Sequence, residues 1–147
     1  MVVKKSLRRH GTIKDIADTT FVSLDENTLV AEGAKALYEQ DSCSIIVTRY
    51  DAISRQRIPV GLITERDVIY RVVAQNKGPF KVTLKHVMTA PLITINSDKS
   101  VEEALAILKK NKINRLPVMN KGALIGLVTT EMILHKIPDG RQKHPET

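Results

Sequence analysis

The chain is an imperfect internal repeat, and this feature constrains its fold more than any other. A shift of 71 positions aligns residues 13–48 with residues 84–119, and the apolar residue classes agree almost throughout. Further along the chain the shift becomes 65 positions, so that residues 60–64 (VGLIT) align with residues 125–129 (IGLVT). The difference places a six-residue insertion within Tyr50–Arg57 of the first repeat, where a polar sequence predicts a longer hairpin loop.

Each repeat begins with the same predicted pair of elements. A short extended segment, at residues 21–24 or 92–95, precedes a helix at about residues 28–40 or 99–111. The motif Ser100-x-x-Glu103 has the spacing of a capping box at the start of the second of these helices. Apolar residues recur at helical spacing behind it and predict one buried face.

Two strands and a second helix complete each repeat. In the first repeat the apolar runs at residues 44–48 and 59–63 are too short for helices and rich in Ile and Val. A second helix begins at Thr64 or Thr129. The pattern predicts an α/β fold of two β-α-β-β-α repeats. Because each repeat is small for an independent core, the two repeats are expected to pack against each other.

Composition divides the chain into five segments. A basic segment covers residues 1–10, the repeats cover residues 11–74 and 81–137, a linker covers residues 75–80, and a polar tail covers residues 138–147. Hydrophobic residues make up 42% of the chain and aromatic residues only 3%, which predicts a globular protein with an aliphatic core. So few rings argue against a stacking platform for single-stranded nucleic acid.

The net charge of +7 leaves several partners open. Basic ends are suited to a phosphate backbone or to an acidic protein, but they also serve as solvated termini. A positive interior cleft would instead favour a small anionic ligand. Net charge alone does not separate these cases.

Other features argue against an enzyme and against a membrane protein. No apolar stretch approaches the roughly 20 residues that span a bilayer, and no secretory signal is visible. The single cysteine, Cys43, is expected to be a small buried residue in a reducing, cytoplasmic setting. His10, His86, His135 and His144 lack metal-ligand spacing and are expected to be exposed. No phosphate-binding glycine loop or catalytic constellation is present.

At residues 61–67 (GLITERD) the chain resembles a cystathionine-β-synthase (CBS) domain, whose repeats carry a strand of the form Gly-apolar-apolar-Thr followed by x-x-Asp. Residues 87–89 (VMT) resemble the segment with which such repeats begin, and residues 113–118 (INRLPV) resemble the family's central strand. Each match alone is weak. Their order, and its repetition at matching offsets over residues 11–137, is specific.

The resemblance implies a non-catalytic regulatory module with no metal and no catalytic cofactor. It implies two repeats related by pseudo-two-fold symmetry, with ligands in the clefts between them. The implied ligands are AMP, ADP, ATP or another adenosyl compound such as S-adenosylmethionine. It further implies a homodimer, often disc-like, that acts on another protein.

Asp67 is the candidate ribose ligand, because a carboxylate accepts two hydrogen bonds side by side from vicinal hydroxyls. Thr64 stands at the predicted helix start, where N–H groups favour phosphate. Thr64-x-x-Asp67 also has the form of a capping box, in which the acid serves only its own backbone. The second repeat keeps Thr129 but has Met132 at the acid position. This asymmetry favours a ligand at Asp67.

The resemblance assigns further residues to the first site. The adenine would be covered by Pro91, Leu92 and Ile93. Leu92 and Ile93 are also consistent with ordinary core residues. The candidate phosphate ligands beside Thr64 are Asn114 and Arg115, with Arg66 and Lys85 as weaker candidates. Arg115 is favoured because a guanidinium grips phosphate at two points. It is also consistent with an ordinary surface arginine.

A second, weaker site is implied by the repeat. Its residues are Thr20, Phe21 and Val22 with Thr129 and Met132. Two other functions remain as alternatives: a nucleic-acid-binding module that uses the basic termini, and a purely structural dimerisation module whose clefts are filled by side chains.

Overall fold

The computed structural model describes residues 11–136, which form two compact units. The first unit comprises Thr20–Ile93 and Gly122–Leu124; the second comprises residues 11–19, Thr94–Lys121 and residues 125–136. The basic segment and the polar tail identified from the sequence lie outside the described residues, as do His10 and His144.

The elements follow one another in the predicted order. Along the chain they are α1 (Ile13–Ile16), β1 (Val22–Asp25), α2 (Val30–Glu39), β2 (Ser44–Asp51), β3 (Gln56–Thr64), α3 (Glu65–Val68) continued by a π-helix (Ile69–Val73), a 3₁₀ helix (Leu84–His86), β4 (Ile95–Asn96), α4 (Val101–Asn111), β5 (Arg115–Asn120), β6 (Ala123–Thr129) and α5 (Thr130–Lys136).

Each repeat contributes one three-stranded sheet, in the orders β1-β2-β3 and β4-β5-β6. β1 runs parallel to β2, with Val22 opposite Ile45, and β3 returns antiparallel to β2. β4 runs parallel to β5 in the same way. The helix between the first two strands of each sheet makes this parallel crossover possible. The predicted mixed α/β fold of two β-α-β-β-α repeats is therefore confirmed.

The second sheet is shorter at its first strand than the sequence predicts. Only Ile95 and Asn96 pair with β5, opposite Val118 and Met119, whereas residues 92–94 are not in the strand. Pro117 lies in the middle strand of this sheet and has no N–H to donate to a neighbour. The β4–β5 pairing is therefore shorter than the β1–β2 pairing of the first sheet.

The six-residue insertion lengthens a hairpin, as predicted. β2 and β3 have 8 and 9 residues, against 6 and 7 for β5 and β6. The longer hairpin turns at residues 52–55. The shorter one turns at Lys121 and Gly122, both with positive φ (50° and 81°), as a tight two-residue hairpin turn requires. The insertion thus adds to both strands and to the turn.

The segments that precede the two sheets, which we call arms, belong to the opposite units. The arm of the first repeat (residues 12–19) lies in the second unit, where Asp18 and Leu127 exchange backbone hydrogen bonds of 2.8 and 3.0 Å. The arm of the second repeat (residues 83–90) lies in the first unit, where Leu62 and Thr89 exchange bonds of 3.1 and 2.9 Å. Each compact unit therefore combines one sheet with the other repeat's arm.

The end of the linker and the residues just after it supply the cap of α2. The N-cap residue Leu29 has no side-chain acceptor, but Val82 O accepts from Val30 N–H at 2.8 Å and Pro79 O accepts from Ala31 N–H at 2.9 Å. The first N–H groups of a helix need such acceptors because they have no partner within the helix. The end of the linker is thereby fixed to the first unit.

The core of the first unit is aliphatic, as the low aromatic content predicts. Its buried members are Val22, Val30, Leu37, Ile45, Val47, Ile63, Val72, Leu84 and Val87. Among the described residues, no Phe or Tyr is part of the buried core. In the second unit the fully buried side chains include Val101, Leu116 and Ile133.

The prediction that Cys43 is buried is wrong. Cys43 is exposed in the loop that joins α2 to β2, and burial begins only at Ser44, the first residue of the strand. The residue contributes its backbone instead, since Cys43 O accepts a hydrogen bond from Glu65 N–H at 3.2 Å.

The glycine of each Gly-apolar-apolar-Thr strand allows an arm to cross closely. A Cβ on Gly126 would lie 2.9 Å from Ala17 Cβ and 3.2 Å from Asp18 O, and a Cβ on Gly61 would lie 2.7 Å from Met88 Cγ. We expect Gly126→Ala to lower the free energy of unfolding by about 1–3 kcal/mol, and Gly61→Ala to cost less, because a Met side chain can move. Urea denaturation measures both.

Gly78→Ala is the matched control for these substitutions, because its Cβ would meet only Lys81 side-chain atoms, at 3.7 Å or more. It should leave the free energy of unfolding unchanged within error. An equally small effect at Gly126 would contradict the proposed close crossing.

The predicted capping box of α4 is confirmed, and it gives stability a pH dependence. Glu103 Oε1 accepts from Ser100 N–H at 3.0 Å, and Ser100 Oγ accepts from Glu103 N–H at 3.0 Å. The hydrogen bond from the Ser100 backbone lowers the pKa of Glu103. A lowered pKa in the folded state means that the contribution is present above the usual glutamate value, about 4.3, and disappears as the pH falls through the lowered value.

Glu103→Gln should reduce this loss of stability in acid, because the amide oxygen accepts the same bond without titrating. Thermal unfolding midpoints between about pH 6 and pH 3 test this. Glu102→Gln, on the same exposed helical turn, is the control for charge. Identical midpoint-against-pH curves for the two variants would contradict the role of Glu103.

Candidate functional site

Thr64 and Asp67 form a closed hydrogen-bonded turn where β3 ends and α3 begins. Asp67 Oδ2 accepts from Thr64 N–H at 2.9 Å and from the Thr64 hydroxyl at 3.2 Å. Thr64 Oγ1 in turn accepts from Asp67 N–H at 3.3 Å. The structural role foreseen for this pair, a capping box, is therefore present. The acid serves its own helix in this structure.

The second carboxylate oxygen of Asp67 faces a different neighbour. Oδ1 lies 3.7 Å from Arg71 Nε, which is an ion-pair distance but too long for a hydrogen bond. Arg71 Nη1 also donates to Val87 O at 2.9 Å, so this guanidinium joins the acid to the arm of the second repeat. Asp67 has 18% of its side-chain surface exposed. Its Oδ1 consequently keeps capacity to accept hydrogen bonds.

Arg71 was missed from the sequence. The signal that would have found it is its spacing, because an acid and an arginine four residues apart on a helix are neighbours on its surface. Arg71 does not occupy a position that the resemblance assigns to phosphate.

The candidate adenine residues lie in the same unit as Thr64 and Asp67. The paired residues Leu62 and Thr89 bring the arm of the second repeat alongside β3, two residues before Thr64. Pro91, which follows the arm, is exposed, and Leu92 and Ile93 are half-buried. The structure thus places one ribose candidate, one helix start and three adenine candidates within a single unit.

The candidate phosphate ligands are more dispersed. Arg66 is exposed and places its guanidinium over the Tyr70 ring, 4.9 Å from the centroid. Lys85 is exposed on the 3₁₀ helix of the first unit. Arg115, half-buried at the start of β5, belongs to the second unit, as does Asn114.

Asn114 has a structural role in the second unit. Its backbone oxygen accepts from Thr130 N–H at 2.9 Å, and its side-chain oxygen accepts from the Thr130 hydroxyl at 3.4 Å. The backbone bond corresponds to the one between Cys43 and Glu65 in the first unit. In both repeats, therefore, the residue before the central strand holds the start of the last helix.

The second, weaker site lacks the acid of the first site, as its sequence predicts. Thr129 Oγ1 accepts from Met132 N–H at 3.1 Å, so the threonine cap is kept without the acid. Of the residues assigned to the base, Thr20 is exposed, Phe21 is half-buried, and Val22 is part of the first unit's core.

The described residues show neither a metal cluster nor a membrane span. Among residues 11–136, no group of three or more His, Cys, Asp or Glu side chains is arranged to hold a metal ion. His86 and His135 are exposed, as predicted. In the same range, no helix combines the length and apolar character required to traverse a bilayer.

Comparison with known proteins identifies the family. A family model described as CBS domain matches residues 13–74 and, a second time, residues 84–139. The chain belongs to the CBS domain family and carries a tandem pair of these domains. Such pairs are generally regulatory ligand-binding modules and are usually non-catalytic.

Curated relatives share the pair but differ in length. An uncharacterized protein of Methanopyrus kandleri is 30% identical over 131 residues, which cover 88% of this chain and 64% of the relative. An uncharacterized protein of Methanocaldococcus jannaschii is 30% identical over 75% of this chain and 58% of its own length. The chain therefore spans about three fifths of these two archaeal proteins. The CBS domain-containing protein YhcV of Bacillus subtilis is 26% identical, with 80% of this chain and 79% of YhcV aligned.

Solved structures support the fold. Hypoxic response protein I, crystallised with two coordinated zinc ions, has a TM-score of 0.74 at 21% identity over 86% of this chain and 99% of its own. A hexameric CBS-CP12 protein from bloom-forming cyanobacteria has a TM-score of 0.76 at 23% identity over 90% of this chain and 75% of its own. At these identities the likeness establishes the architecture alone.

The capping role of Asp67 can be tested by substitution. Asp67→Ala removes the acceptor of Thr64 N–H and should lower the free energy of unfolding by about 1 kcal/mol. Asp67→Asn keeps an acceptor oxygen and should cost less. Urea denaturation measures both effects.

Asp15→Ala is the comparison for this loss of stability, since Asp15 Oδ2 accepts from Thr12 N–H at 3.1 Å in a similar turn of the second unit. A fully stable Asp67→Ala protein would show that the box contributes nothing.

Proposed function

We propose that this CBS pair binds an adenine nucleotide, or another adenosyl compound, at Thr64 and Asp67, and that occupancy regulates a partner protein. The observation that carries the proposal is the state of Asp67. One of its oxygens closes the helix cap, while the other lies 3.7 Å from the guanidinium of Arg71, on a side chain with 18% of its surface exposed. The carboxylate therefore keeps one oxygen that the cap does not use.

Ribose binding would change the hydrogen bonds of Thr64. Two vicinal hydroxyls that bind side by side need both carboxylate oxygens, yet Oδ2 already accepts two hydrogen bonds. Of these two donors, the Thr64 hydroxyl is the one that a ribose hydroxyl can replace, because the hydrogen bond from Thr64 N–H to Oδ2 still closes the cap. Once released, that hydroxyl points a donor at the helix start, where a phosphate is favoured. Sugar and phosphate binding are thereby coupled through one side chain.

The remaining assignments extend this site. Pro91, Leu92 and Ile93 would cover the adenine, and Arg115 would neutralise phosphate. AMP, ADP, ATP and S-adenosylmethionine all offer the ribose, whereas only the first three offer phosphate. Replacement of Arg115 should therefore weaken the binding of the three nucleotides but not that of S-adenosylmethionine.

Regulation follows if the ligand binds one conformation of the protein better than another, since linkage then shifts the population toward that conformation. We expect the signal to pass to another protein through a homodimer, as the resemblance implies. The hexameric CBS-CP12 relative shows that another protein with these domains assembles from several copies.

Calorimetric titration with each of the four compounds tests the site. Wild type is expected to bind at least one of them, Asp67→Ala to weaken binding at least tenfold, and Asp67→Asn to weaken it as well despite its intact cap. Arg115→Ala should weaken ATP more than S-adenosylmethionine. Met132→Ala, at the position that corresponds to Asp67, serves as the matched control and should bind with the wild-type affinity at the first site.

Equal binding by wild type and both Asp67 variants would remove the residue from its proposed role. Lack of binding by all four compounds would contradict nucleotide sensing altogether. In that case thermal unfolding would also be indifferent to ligand, because only a ligand that binds the folded state raises the midpoint. Mass spectrometry of small molecules that copurify with the protein identifies the natural ligand.

A further inference from the structure

The guanidinium of Arg71 connects the candidate ribose ligand to the arm of the second repeat. Arg71 Nε lies 3.7 Å from Asp67 Oδ1, and Nη1 donates to Val87 O at 2.9 Å. One arginine can make both contacts because its N–H groups are fixed in a plane and point in different directions. We call this pair of contacts the Arg71 link.

The arm is attached to β3 close to the Arg71 link. Val87 is buried in the core of the first unit, and two residues later Thr89 exchanges two backbone hydrogen bonds with Leu62. Residues 91–93, which would cover the adenine, follow directly. The hydrogen bond at Val87 O is therefore near both the attachment of the arm and the adenine candidates.

The backbone around Arg71 is irregular. Ile69–Val73 form a π-helix, in which Ile69 O accepts from Ala74 N–H at 2.8 Å, so that the hydrogen bond spans five residues instead of four. π-helical turns are rare in proteins and occur frequently at functional sites. The residue that makes both contacts of the link therefore lies in the one π-helix among the described residues.

The second repeat shows that an arm can pair with its strand without an acid at this position. Met132 takes the place of Asp67 and has no charge to attract a cation. The last strand of that unit nevertheless pairs with an arm, through backbone hydrogen bonds between Leu127 and Asp18. The acid–arginine pair of the first repeat is thus an addition to the shared architecture, which favours a role beyond holding the fold together.

We propose that Arg71 transmits the state of Asp67 to the arm of the second repeat, and that a ligand on Asp67 acts on the arm by this route. The carboxylate attracts the guanidinium and so holds it in place to donate to Val87 O. A ligand that occupies Oδ1 weakens this attraction, and the arm is then held less firmly on β3. The ligand part of the inference rests on the proposed function, whereas the link itself is present in the ligand-free protein.

Amide hydrogen exchange of the ligand-free chain, measured by NMR, tests the link. The reporters are the N–H groups of Thr89 and Leu62, which join the arm to β3. We expect exchange at both to be about threefold faster in Asp67→Asn, which loses the charge but keeps an oxygen for the cap, and about fivefold faster in Arg71→Ala. The double variant should exchange no faster than Arg71→Ala, because both substitutions break the same link.

Arg49→Ala is the matched control. Arg49 Nε lies 3.7 Å from Glu26 Oε2, and the Arg49 side chain is 56% exposed against 48% for Arg71. Within residues 11–136, Arg49 donates no hydrogen bond to the arm, so its loss should leave exchange at Thr89 unchanged. The amides of Asp18 and Leu127, at the other arm, are the internal reference and should be unaffected in every variant.

Arg71→Lys provides a second variant if the alanine substitution disturbs folding, which circular dichroism detects. A lysine keeps the charge but lacks the planar fork that makes two contacts at once. Exchange at Thr89 should therefore lie between the rates of wild type and Arg71→Ala.

AMP tests the route from ligand to arm. At saturating AMP, exchange at Thr89 should be at least threefold faster in wild type, whereas Arg71→Ala should bind AMP without this acceleration because its link is already broken. Failure of all four adenosyl compounds to bind would contradict the proposed function, while the ligand-free comparison would still decide the link. The two proposals therefore fail separately.

Three results would overturn the inference. The first is exchange at Thr89 that is the same in wild type and in folded Arg71→Ala. The second is additive acceleration by the Asp67 and Arg71 substitutions, which would mean that they act independently. The third is an equal response to AMP in wild type and Arg71→Ala, which would show that the ligand reaches the arm by another route.

Discussion

The close crossing of an arm over the last strand of each sheet is the contact on which the rest of the structure depends. Leu62 pairs with Thr89 in one unit and Leu127 pairs with Asp18 in the other, each next to a glycine that leaves room for the crossing. Through this crossing each compact unit contains the sheet of one repeat and the arm of the other repeat. It also fixes the end of β3, and hence the position of Thr64 and of the helix that follows.

The start of that helix combines stability with the candidate binding chemistry. Asp67 closes a capping box with one oxygen and faces Arg71 with the other. Any ligand that engages both oxygens must compete with the threonine hydroxyl for the first. Under the proposed function, binding would begin from a satisfied hydrogen-bond network, and the ligand would have to replace the hydroxyl that it displaces. In the second repeat Met132 leaves only the threonine cap, so no such exchange is available there.

Much of the fold could be predicted because duplication gives two independent samples of one pattern. Apolar spacing located α2 and α4 to within two residues, and the change in shift located the longer hairpin. The exchange of arms between units was not predictable, since spacing along the chain does not say which sheet a segment joins. The exposure of Cys43 was missed because an adjacent apolar run suggested burial, while the strand begins one residue later.

The site was only partly accessible to sequence reasoning for a related reason. The type of residue at Asp67 was enough to suggest both a cap and a ribose ligand. The distance to Arg71, and the stacking of Arg66 on Tyr70, depend on side-chain directions on one short helix.

The cap of α2 has a consequence for the way tandem CBS pairs can change in sequence. The carbonyls of Pro79, in the linker, and of Val82, just after it, cap α2, so the linker does more than connect the repeats. A change in its length during evolution would therefore require a replacement cap at that helix.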